Sequence, residues 1–398
     1  MEALSGVKVL DLSDEIAGSY CAKLMADFGA EVIKIEDPNG NKMRKVGPFL
    51  DDDPHPEKSG QFFYLNTNKK SVTLNLKTKT GVELFKKLAK DVDVVIEDFN
   101  PGVMAEQGIS YEILSELNPG LIMTSITWFG QNGPYHDYKA TNLIAEGIGG
   151  SMFTSRPTRW PKGRPAVLGG AQAEYRCGLL SYIAVTAALL RQADTNKGTW
   201  IDISVAESVV STLTGTTADY TYMGFSRTTV PWAVHGFPTQ ENYQCKDGWV
   251  NILTGIGGTS KVATLIEQPE LKDNPYFAKA SARIAEPEKF EELCIPWFKE
   301  HGKWEIAKKA QELKLAFSPT LSPVELLEDE QLKAREVFAT VKHPDMGEVT
   351  YLGAPAKMSE SPCKAGRAPL IGEHNEMVYG GLGYRKEECV KFRERGII

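Results

Sequence analysis

Apolar residues follow two different spacings in the first part of the chain. The segments GVKVLDLS (6–13) and EVIKIE (31–36) are short apolar runs with β-branched residues, which predict two strands. Between them, AGSYCAKLMADFGA (17–30) carries apolar residues at helical spacing and ends near Gly29. This order has the length that a right-handed parallel crossover requires, so the pattern predicts a β-α-β unit.

The same alternation continues over the next hundred residues. Further apolar runs occur in SVTLNL (71–76), VDVVIEDF (92–99) and GLIMTSITWFG (120–130). The segment TGVELFKKLAKD (80–91) has apolar residues at helical spacing. Repeated units of this kind predict an open α/β layer with a mostly parallel sheet. Residues 37–60 are rich in glycine, proline and charge, so they are predicted to form a surface loop.

The pattern changes in the second half of the chain. A long apolar helix is predicted over 179–190, and NKGTWIDISVAESVVSTLTG (196–215) predicts a turn, a strand and a helix. The segment ENYQCKDGWVNILTG (241–255) predicts a hairpin that turns at residues 246–248. Short helical segments separated by proline and glycine then follow as far as about Glu330.

This change of pattern, together with a length of 398 residues, predicts two domains, because one hydrophobic core rarely supports so long a chain. Residues 1–225 are predicted to form a large domain and residues 226–335 a smaller inserted domain. Residues 336–398 are predicted to return to the large domain.

Composition narrows the range of partners. The chain is 42% hydrophobic and 24% charged, as in ordinary globular proteins, and its net charge of -7 disfavours nucleic acid and anionic membranes. Small molecules or other subunits are the expected partners. Six cysteines without a Cys-x-x-Cys pair predict reduced thiols and a cytoplasmic protein, and neither a signal peptide nor a membrane-spanning run is evident.

Common cofactor motifs do not occur. The turn after the first predicted strand reads DLSDEIAGS, without the glycines of a dinucleotide site, although Glu36 ends the second strand where a ribose-binding acid would lie. The chain has no phosphate loop of the Gly-x-x-x-x-Gly-Lys type and no Gly-x-Ser-x-Gly elbow. Its six histidines are dispersed, so no metal site is predicted.

One carboxylate stands out beside the predicted long helix. The segment GGAQAEYRCG (169–178) places Glu174 between small residues just before that helix. Two interpretations are open from the residues alone. Glu174 is either a reagent in a small-molecule site or a solvated residue at a helix start.

Six segments in order resemble the family III CoA-transferases, the group of formyl-CoA transferase and carnitine CoA-transferase. They are LSGVKVLDLSDEIAGSYCAKLMADFGAEVIKIEDP (4–38), NTNKKSVTLNLKTKTG (66–81), DVVIEDFNPGVMAEQGIS (93–110), WFGQNGPYHDYKATNLIAEGIGG (128–150), NKGTWIDISVAES (196–208) and RAPLIGEH (367–374). The resemblance implies an α/β fold with a Rossmann-like large domain and a smaller inserted α+β domain. It also implies an interlocked dimer, in which two subunits pass through each other as rings.

The resemblance implies covalent chemistry at a carboxylate, with coenzyme A or acyl-CoA as substrate and no permanently bound cofactor. The family has an aspartate four residues before the glycine of the long helix, and here Gly178 follows Glu174 at that spacing. Glu174 is therefore predicted as the catalytic residue, on an arm one carbon longer. The residues expected to contact CoA are Ala17, Gly18, Leu74, Leu76, Phe99 and Lys139.

Two acids replace cations that family members carry near CoA, Asp37 after the second strand and Glu106 near the start of a helix. With Glu174, these departures leave two roles open. The chain is either itself catalytic, or one subunit of a heteromeric enzyme such as succinyl-CoA:benzylsuccinate CoA-transferase, whose sister chain bears the aspartate. A homodimer and a heterodimer are both open.

Two other functions compete with CoA transfer. The racemase branch of the same fold needs a histidine and an aspartate as bases, but residues 137–147 contain no histidine and His136 lies outside the matching position. A subunit that binds CoA esters without turnover is the second alternative. Aromatic residues near the expected pocket belong either to its wall or to core and interface packing; they are Trp128, Phe129, Tyr135, Trp160, Tyr175 and Trp232.

Overall fold

The computed structural model describes residues 2–155, 165–224, 240–254, 258–363 and 365–398. The chain divides into two compact units. A large unit consists of Met1–Gly150, Leu168–Thr212 and Gln331–Ile398, and a small unit consists of Ser151–Val167 and Leu213–Glu330.

The large unit contains a parallel sheet of six strands in the order β3-β2-β1-β4-β5-β6. This sheet confirms the predicted α/β class. All residues of β4 and β5 are buried, as expected for strands that helices cover on both faces. The strands are β1 (Lys8–Asp11), β2 (Glu31–Glu36), β3 (Lys70–Thr73), β4 (Val94–Glu97), β5 (Ile122–Thr127) and β6 (Thr199–Ser204).

Helices connect these strands and cover the sheet. The helices up to residue 212 are α1 (Ile16–Asp27), α2 (Gly60–Leu65), α3 (Lys79–Ala89), α4 (Val103–Glu106), α5 (Tyr111–Leu117), α6 (Asn142–Ile148), α7 (Ser151–Thr154), α8 (Gln172–Thr195) and α9 (Val205–Ser211). Of these, α7 belongs to the small unit. Helices α1 and α8 pack against each other, and this contact positions the site.

Of the apolar cores in the large unit, two contain residues of the sheet. One combines α3 and α5 with the end of the chain, where Tyr379 and Ile397 are buried beside Phe85. The other combines α1, α8 and α9 through residues such as Met25 and Cys177. The end of the chain also pairs with the segment after β3, because the Asn75 N–H donates to the Ile397 carbonyl at 2.7 Å.

The remaining elements include the predicted hairpin, since β7 and β8 pair antiparallel. A second antiparallel hairpin, β10 with β11, lies in the returning segment of the large unit. The strands are β7 (Gln240–Cys245), β8 (Gly248–Leu253), β9 (Ala316–Thr320), β10 (Phe338–His343) and β11 (Gly347–Leu352). The helices are α10 (Thr214–Met223), α11 (Thr259–Leu265), α12 (Pro275–Ala278), α13 (Ala280–Ala285), α14 (Pro287–Glu300), α15 (Lys303–Glu312), α16 (Pro323–Glu328), α17 (Glu330–Ala334), α18 (Asn375–Gly381) and α19 (Lys386–Glu394).

The prediction of a surface loop over residues 37–60 was wrong in part. This segment contains two short 3₁₀ helices, Lys42–Lys45 and Leu50–Asp52, and it buries Arg44 completely. The Arg44 guanidinium binds Glu36 and Glu57 and lies 3.7 Å from the ring centre of Phe62. Ion pairing and ring stacking compensate for removing this charge from water, so a polar composition did not keep the segment at the surface.

The predicted long helix begins earlier than expected, at Gln172, which places Glu174 inside its first turn. Ala171 occupies the N-cap position before the helix, but its side chain forms no hydrogen bond with the first turn. Instead, the side-chain oxygen of Asn142 accepts from the Ala173 N–H at 2.8 Å. A cap supplied from α6 explains why the local sequence did not reveal the start.

Within the described residues, no helix combines the length and the apolar character needed to cross a membrane. All six cysteines are free, and five of them are buried.

Candidate active site

Glu174 lies in the wall of a cavity of about 510 Å³ within the large unit. It is only 6% exposed, so it is not a solvated residue at a helix start. Asp98, Phe99, Trp128 and Lys139 line the same cavity. A buried carboxylate in a cleft that contains polar and aromatic groups is a candidate for chemistry.

Close packing of two helices brings Glu174 to this position. Gly178 follows Glu174 by one turn, and a Cβ atom there would lie 2.7 Å from the Ala17 carbonyl oxygen. The absence of a side chain therefore lets α8 approach the backbone of α1. In this arrangement the Ile16 backbone N–H lies close enough to the Glu174 carboxylate to favour its charged form.

The surroundings of Glu174 favour its neutral form. Burial raises the pKa of Glu174 to about 7, and repulsion from the Glu15 carboxylate adds to the rise, while the Ile16 N–H opposes it. No lysine or arginine among the described residues forms an ion pair with Glu174. Near neutral pH a substantial fraction of the molecules therefore carries an ionised carboxylate without a strong counter-ion.

A second carboxyl group holds the turn before α1. Asp98, directly after β4, accepts from the backbone N–H groups of Asp14 at 2.7 Å and Glu15 at 2.9 Å. Burial raises the pKa of Asp98 to about 8, despite these hydrogen bonds and the nearby charge of Lys34. The N–H groups of Asp14 and Glu15 thus bind Asp98, and the N–H group of the next residue, Ile16, lies beside Glu174.

Gly18 lies behind this turn and not in the cavity wall. A Cβ atom at Gly18 would lie 2.7 Å from the Ser13 Cβ and 3.1 Å from the Asp98 Oδ2. The position therefore has no room for a side chain. Its neighbour Ala17 lines the cavity.

A second cavity of about 450 Å³ adjoins the first, because Asp14, Lys42 and Phe99 line both. Leu74 and Leu76 lie in its wall. The residues of both cavities follow the carboxyl ends of strands β1 to β5, which is where open α/β sheets bind ligands. The two cavities therefore form one cleft, with Glu174 in the first and the two leucines in the second.

The structure thus brings together six of the seven residues predicted for the site, and places Gly18 behind them. Three lysines in the second cavity, Lys42, Lys45 and Lys77, were not predicted. Asp37 lines this cavity as well, whereas Glu106 lines neither. The signal available in the sequence was the basic cluster NKMRK (41–45), but its position depends on the path of the 37–60 segment.

His136 also lines the first cavity, although sequence reasoning set it aside. Its Nδ1 lies 2.8 Å from the Gly133 carbonyl oxygen, and its Nε2 lies 3.0 Å from Asp137 Oδ1. Both ring nitrogens are therefore engaged within its own loop. This arrangement does not favour the proton abstraction that a racemase requires.

The aromatic residues lie in different surroundings. Trp128 lines the first cavity, while Phe129 and Tyr135 pack against each other. Tyr175 packs edge to face against Tyr20 in another cluster. Trp160 and Trp232 lie outside the described residues. Among the described residues, no group of three or more histidine, cysteine, aspartate or glutamate side chains is arranged to hold a metal ion.

Comparison with known proteins adds a family match. Residues 4–375 match the family described as CoA-transferase family III. The chain is 32% identical to the formyl-CoA:oxalate CoA-transferase of Streptomyces avermitilis, with all of both chains covered. It is 29% identical to the succinyl-CoA–D-citramalate CoA-transferase of Chloroflexus aurantiacus, with 99% of this chain and 98% of that protein covered.

Solved structures share the fold. A CAIB/BAIF family protein from Brucella suis has a TM-score of 0.85 at 29% identity, over 96% of this chain and 99% of that chain. A hypothetical protein from Mycobacterium tuberculosis has a TM-score of 0.80 at 23% identity, over 95% of this chain and 99% of that chain.

Proposed function

The chain belongs to CoA-transferase family III, and we propose that Glu174 is the nucleophile with which it transfers CoA from an acyl-CoA thioester to a carboxylic acid. CoA transfer is the activity of the family members named above, and acyl-CoA is a substrate and not a resident cofactor. The assignment of Glu174 rests on one observation above all. It is a buried carboxylate that lines a cleft and forms no ion pair with any described residue.

The proposed reaction exchanges one bond at a time. The Glu174 carboxylate attacks the thioester carbonyl, forming a C–O bond while the C–S bond breaks and CoA leaves as thiolate. The thiolate then attacks the side-chain carbonyl of Glu174, forming a glutamyl-CoA thioester and releasing the first acid as a carboxylate. The acceptor carboxylate then attacks the glutamyl-CoA thioester and expels CoA thiolate, which leaves a mixed anhydride. The thiolate attacks the acceptor's carbonyl in this anhydride, which yields the new acyl-CoA and regenerates the Glu174 carboxylate.

The environment supports each part of this scheme. Weak ion pairing leaves the Glu174 oxygen available for attack, and its pKa of about 7 keeps the ionised form populated at neutral pH. The Ile16 backbone N–H, at the start of α1, has no partner within the helix and lies beside Glu174. It is suited to stabilise the oxyanion that forms when the thioester carbonyl is attacked.

The cleft also suggests how CoA lies. We place the adenine beside Leu74 and Leu76 in the second cavity, and the thioester beside Ala17 and Glu174 in the first. Phe99 lines both cavities and would contact the pantetheine arm between them. Lysines along the cleft supply positive charge for the CoA phosphates; they are Lys45, Lys77 and Lys139.

A second subunit is part of the proposal. Large apolar side chains are exposed on neighbouring helices of the large unit, at Leu143, Ile144 and Ile148 of α6 and at Leu179, Ile183 and Leu190 of α8. Ile183 is 59% exposed and Leu190 is 70% exposed. Apolar surface of this extent supports association with another chain, either an interlocked copy of this chain or a sister subunit.

Free and mostly buried cysteines further support a reducing compartment such as the cytoplasm.

Covalent trapping tests the proposed nucleophile. The purified chain is incubated with an acyl-CoA, treated with hydroxylamine, and examined by mass spectrometry of its peptides. We expect a hydroxamate on Glu174, no adduct in the Glu174→Gln variant, and an unchanged adduct in Glu116→Gln, which alters an exposed glutamate of α5. Retention of the adduct in Glu174→Gln would exclude Glu174 as the nucleophile.

The same experiment separates the two possible roles of the chain. Exchange and labelling by the purified chain establish that it is catalytic by itself. If the chain binds acyl-CoA but forms no adduct and exchanges nothing, while coexpression with a sister chain restores exchange, it is the partner subunit. Binding without exchange under both conditions would indicate a subunit that only binds CoA esters.

A further inference from the structure

The wall of the Glu174 cavity carries more acidic than basic side chains. Five acids line it, whereas the described residues supply two lysines, one histidine and no arginine to the wall, and the histidine, His136, is bound to Asp137. The acids are Asp14, Glu15, Asp98, Asp137 and Glu174. Even with protons on Asp98 and Glu174, the three remaining acids outnumber the two lysines.

One of the two lysines is already neutralised within the wall. Lys42 Nζ lies 3.5 Å from Asp14 Oδ2 and 3.7 Å from Glu15 Oε1. The proposed function assigns the other, Lys139, to the CoA phosphates. Within the part of the chain that the structure describes, the cavity wall therefore supplies no basic group that is free to pair with an additional anion on the substrate.

Apolar and aromatic side chains form much of the remaining wall. Val103, Ile126, Trp128 and Val205 line the cavity beside Phe99. Trp128 follows the carboxyl end of β5 and Val205 begins α9, so both are fixed by regular elements. A rigid apolar surface of this kind favours an aliphatic or aromatic substrate body.

We propose that the acids exchanged at Glu174 are monocarboxylates with an uncharged, apolar or aromatic body, and that a second carboxylate on the substrate is disfavoured. This inference rests on the proposed function, because it concerns the acyl group beside that nucleophile. A second carboxylate would lose its hydration in a cavity where its neighbours carry the same charge, which costs binding free energy. The chain would then differ from relatives whose names specify oxalate and citramalate.

Butyryl-CoA and succinyl-CoA form a matched pair for the test, because a methyl group in the first is a carboxylate in the second. The full chain is given each thioester with the corresponding isotopically labelled free acid, and label entry into the thioester is followed. Binding of both thioesters is measured in parallel. We expect kcat/KM, or affinity if only binding occurs, to be at least about 10-fold higher for butyryl-CoA.

Two variants locate the source of the preference. Asp137→Asn removes one acid from the wall and should narrow the difference between the thioesters, whereas Glu116→Gln removes an exposed acid outside the cavity and should leave it unchanged. Equal or better use of succinyl-CoA would overturn the inference while leaving the proposed function intact. Failure of both thioesters to bind or exchange would overturn the proposed function itself, and the inference with it.

Discussion

The Ile16 backbone N–H lies beside the Glu174 carboxylate, so the first turn of α1 meets the first turn of α8 at the proposed nucleophile. Gly178 permits this contact by letting the two helices approach each other closely. The Ile16 N–H favours the charged carboxylate, whereas burial and Glu15 favour the neutral acid. The balance of these effects leads to predictions about both rate and stability.

The exchange rate should rise with pH through the ionisation of Glu174. Because only the carboxylate is nucleophilic, kcat/KM for an acyl-CoA should increase up to about pH 7 and then level off. Initial rates of thioester exchange across this range provide the measurement. Burial also raises the pKa of Glu97 to about 7, so Glu97→Gln is the control and should preserve the rise. A rate that is flat across this range would contradict the assignment.

Replacing Glu174 with glutamine should stabilise the folded chain at neutral and alkaline pH. The folded-state pKa of about 7 lies above the ordinary value of 4.5, so the folded state binds more protons between these pH values. Stability therefore falls as pH rises through this window, and the full cost is present above pH 7. Glu174→Gln removes that cost, on the order of 3 kcal/mol.

Chemical denaturation of the parent chain and Glu174→Gln checks this sign. The gain in the free energy of unfolding should be largest above about pH 7 and should vanish below about pH 4.5. Glu116→Gln, at an exposed position, should show no such dependence. A glutamine variant that is less stable than the parent at pH 8 would show that the ionised carboxylate is not strained by its surroundings.

Asp98 is expected to act on the reaction through the turn that it holds. Asp98→Ala removes the acceptor for the N–H groups of Asp14 and Glu15, which loosens the turn that carries the Ile16 N–H to Glu174. Displacement of a reacting group by about 1 Å costs on the order of 100-fold in rate, so kcat should fall by at least about 10-fold. If the Ile16 N–H moves away from Glu174, the pKa of Glu174 and hence the midpoint of the pH profile should move upward.

Asp98→Asn distinguishes this role from a general loss of structure. The amide retains one acceptor oxygen for the turn, so it should recover part of kcat and return the pH midpoint towards that of the parent. Rates and pH profiles of both variants are compared at matched folded fractions. A lower rate without any shift in the pH midpoint would contradict the positioning role.

Sequence patterns predicted the sheet because each of its strands is a short apolar run between helical or turn segments. The bounds of β2 agree with the predicted residues 31–36. The start of α8 was not predictable locally, since its cap is the Asn142 side chain, about thirty residues earlier. Similarly, Arg44 is buried because its partners Glu36 and Phe62 come from other elements.

Prediction of the site depended on resemblance more than on composition. Leu74, Leu76, Phe99 and Lys139 are ordinary residues in the sequence, and they matter as a group only because the parallel strands end at one edge. The lysines of the second cavity were missed for the same physical reason. Their location depends on how residues 37–60 fold back over the strand ends.

Arg44 should be essential for the stability of the large unit. Its Nε lies 2.6 Å from Glu36 Oε2, and its Nη1 lies 2.6 Å from Glu57 Oε2. Burial alone would raise the pKa of Glu36, but hydrogen bonds and charge from Arg44 outweigh it and hold that pKa below the ordinary value. Arg44→Met leaves the carboxylate buried without its partner, which should cost about 3–5 kcal/mol in the free energy of unfolding.

Denaturation at neutral pH measures this loss, and adding Glu36→Gln to Arg44→Met should recover part of it because no buried charge then remains unpaired. The control is Lys86→Met, which removes a partly exposed pair with Glu83 at 3.6 Å and should change stability by less than about 1 kcal/mol. Because the favourable ionisation of Glu36 is lost at low pH, the gap between parent and Arg44→Met should narrow on acidification. If Arg44→Met were as stable as Lys86→Met, the free-energy cost of burying the guanidinium would outweigh the stabilisation from its ion pairs, contrary to this prediction.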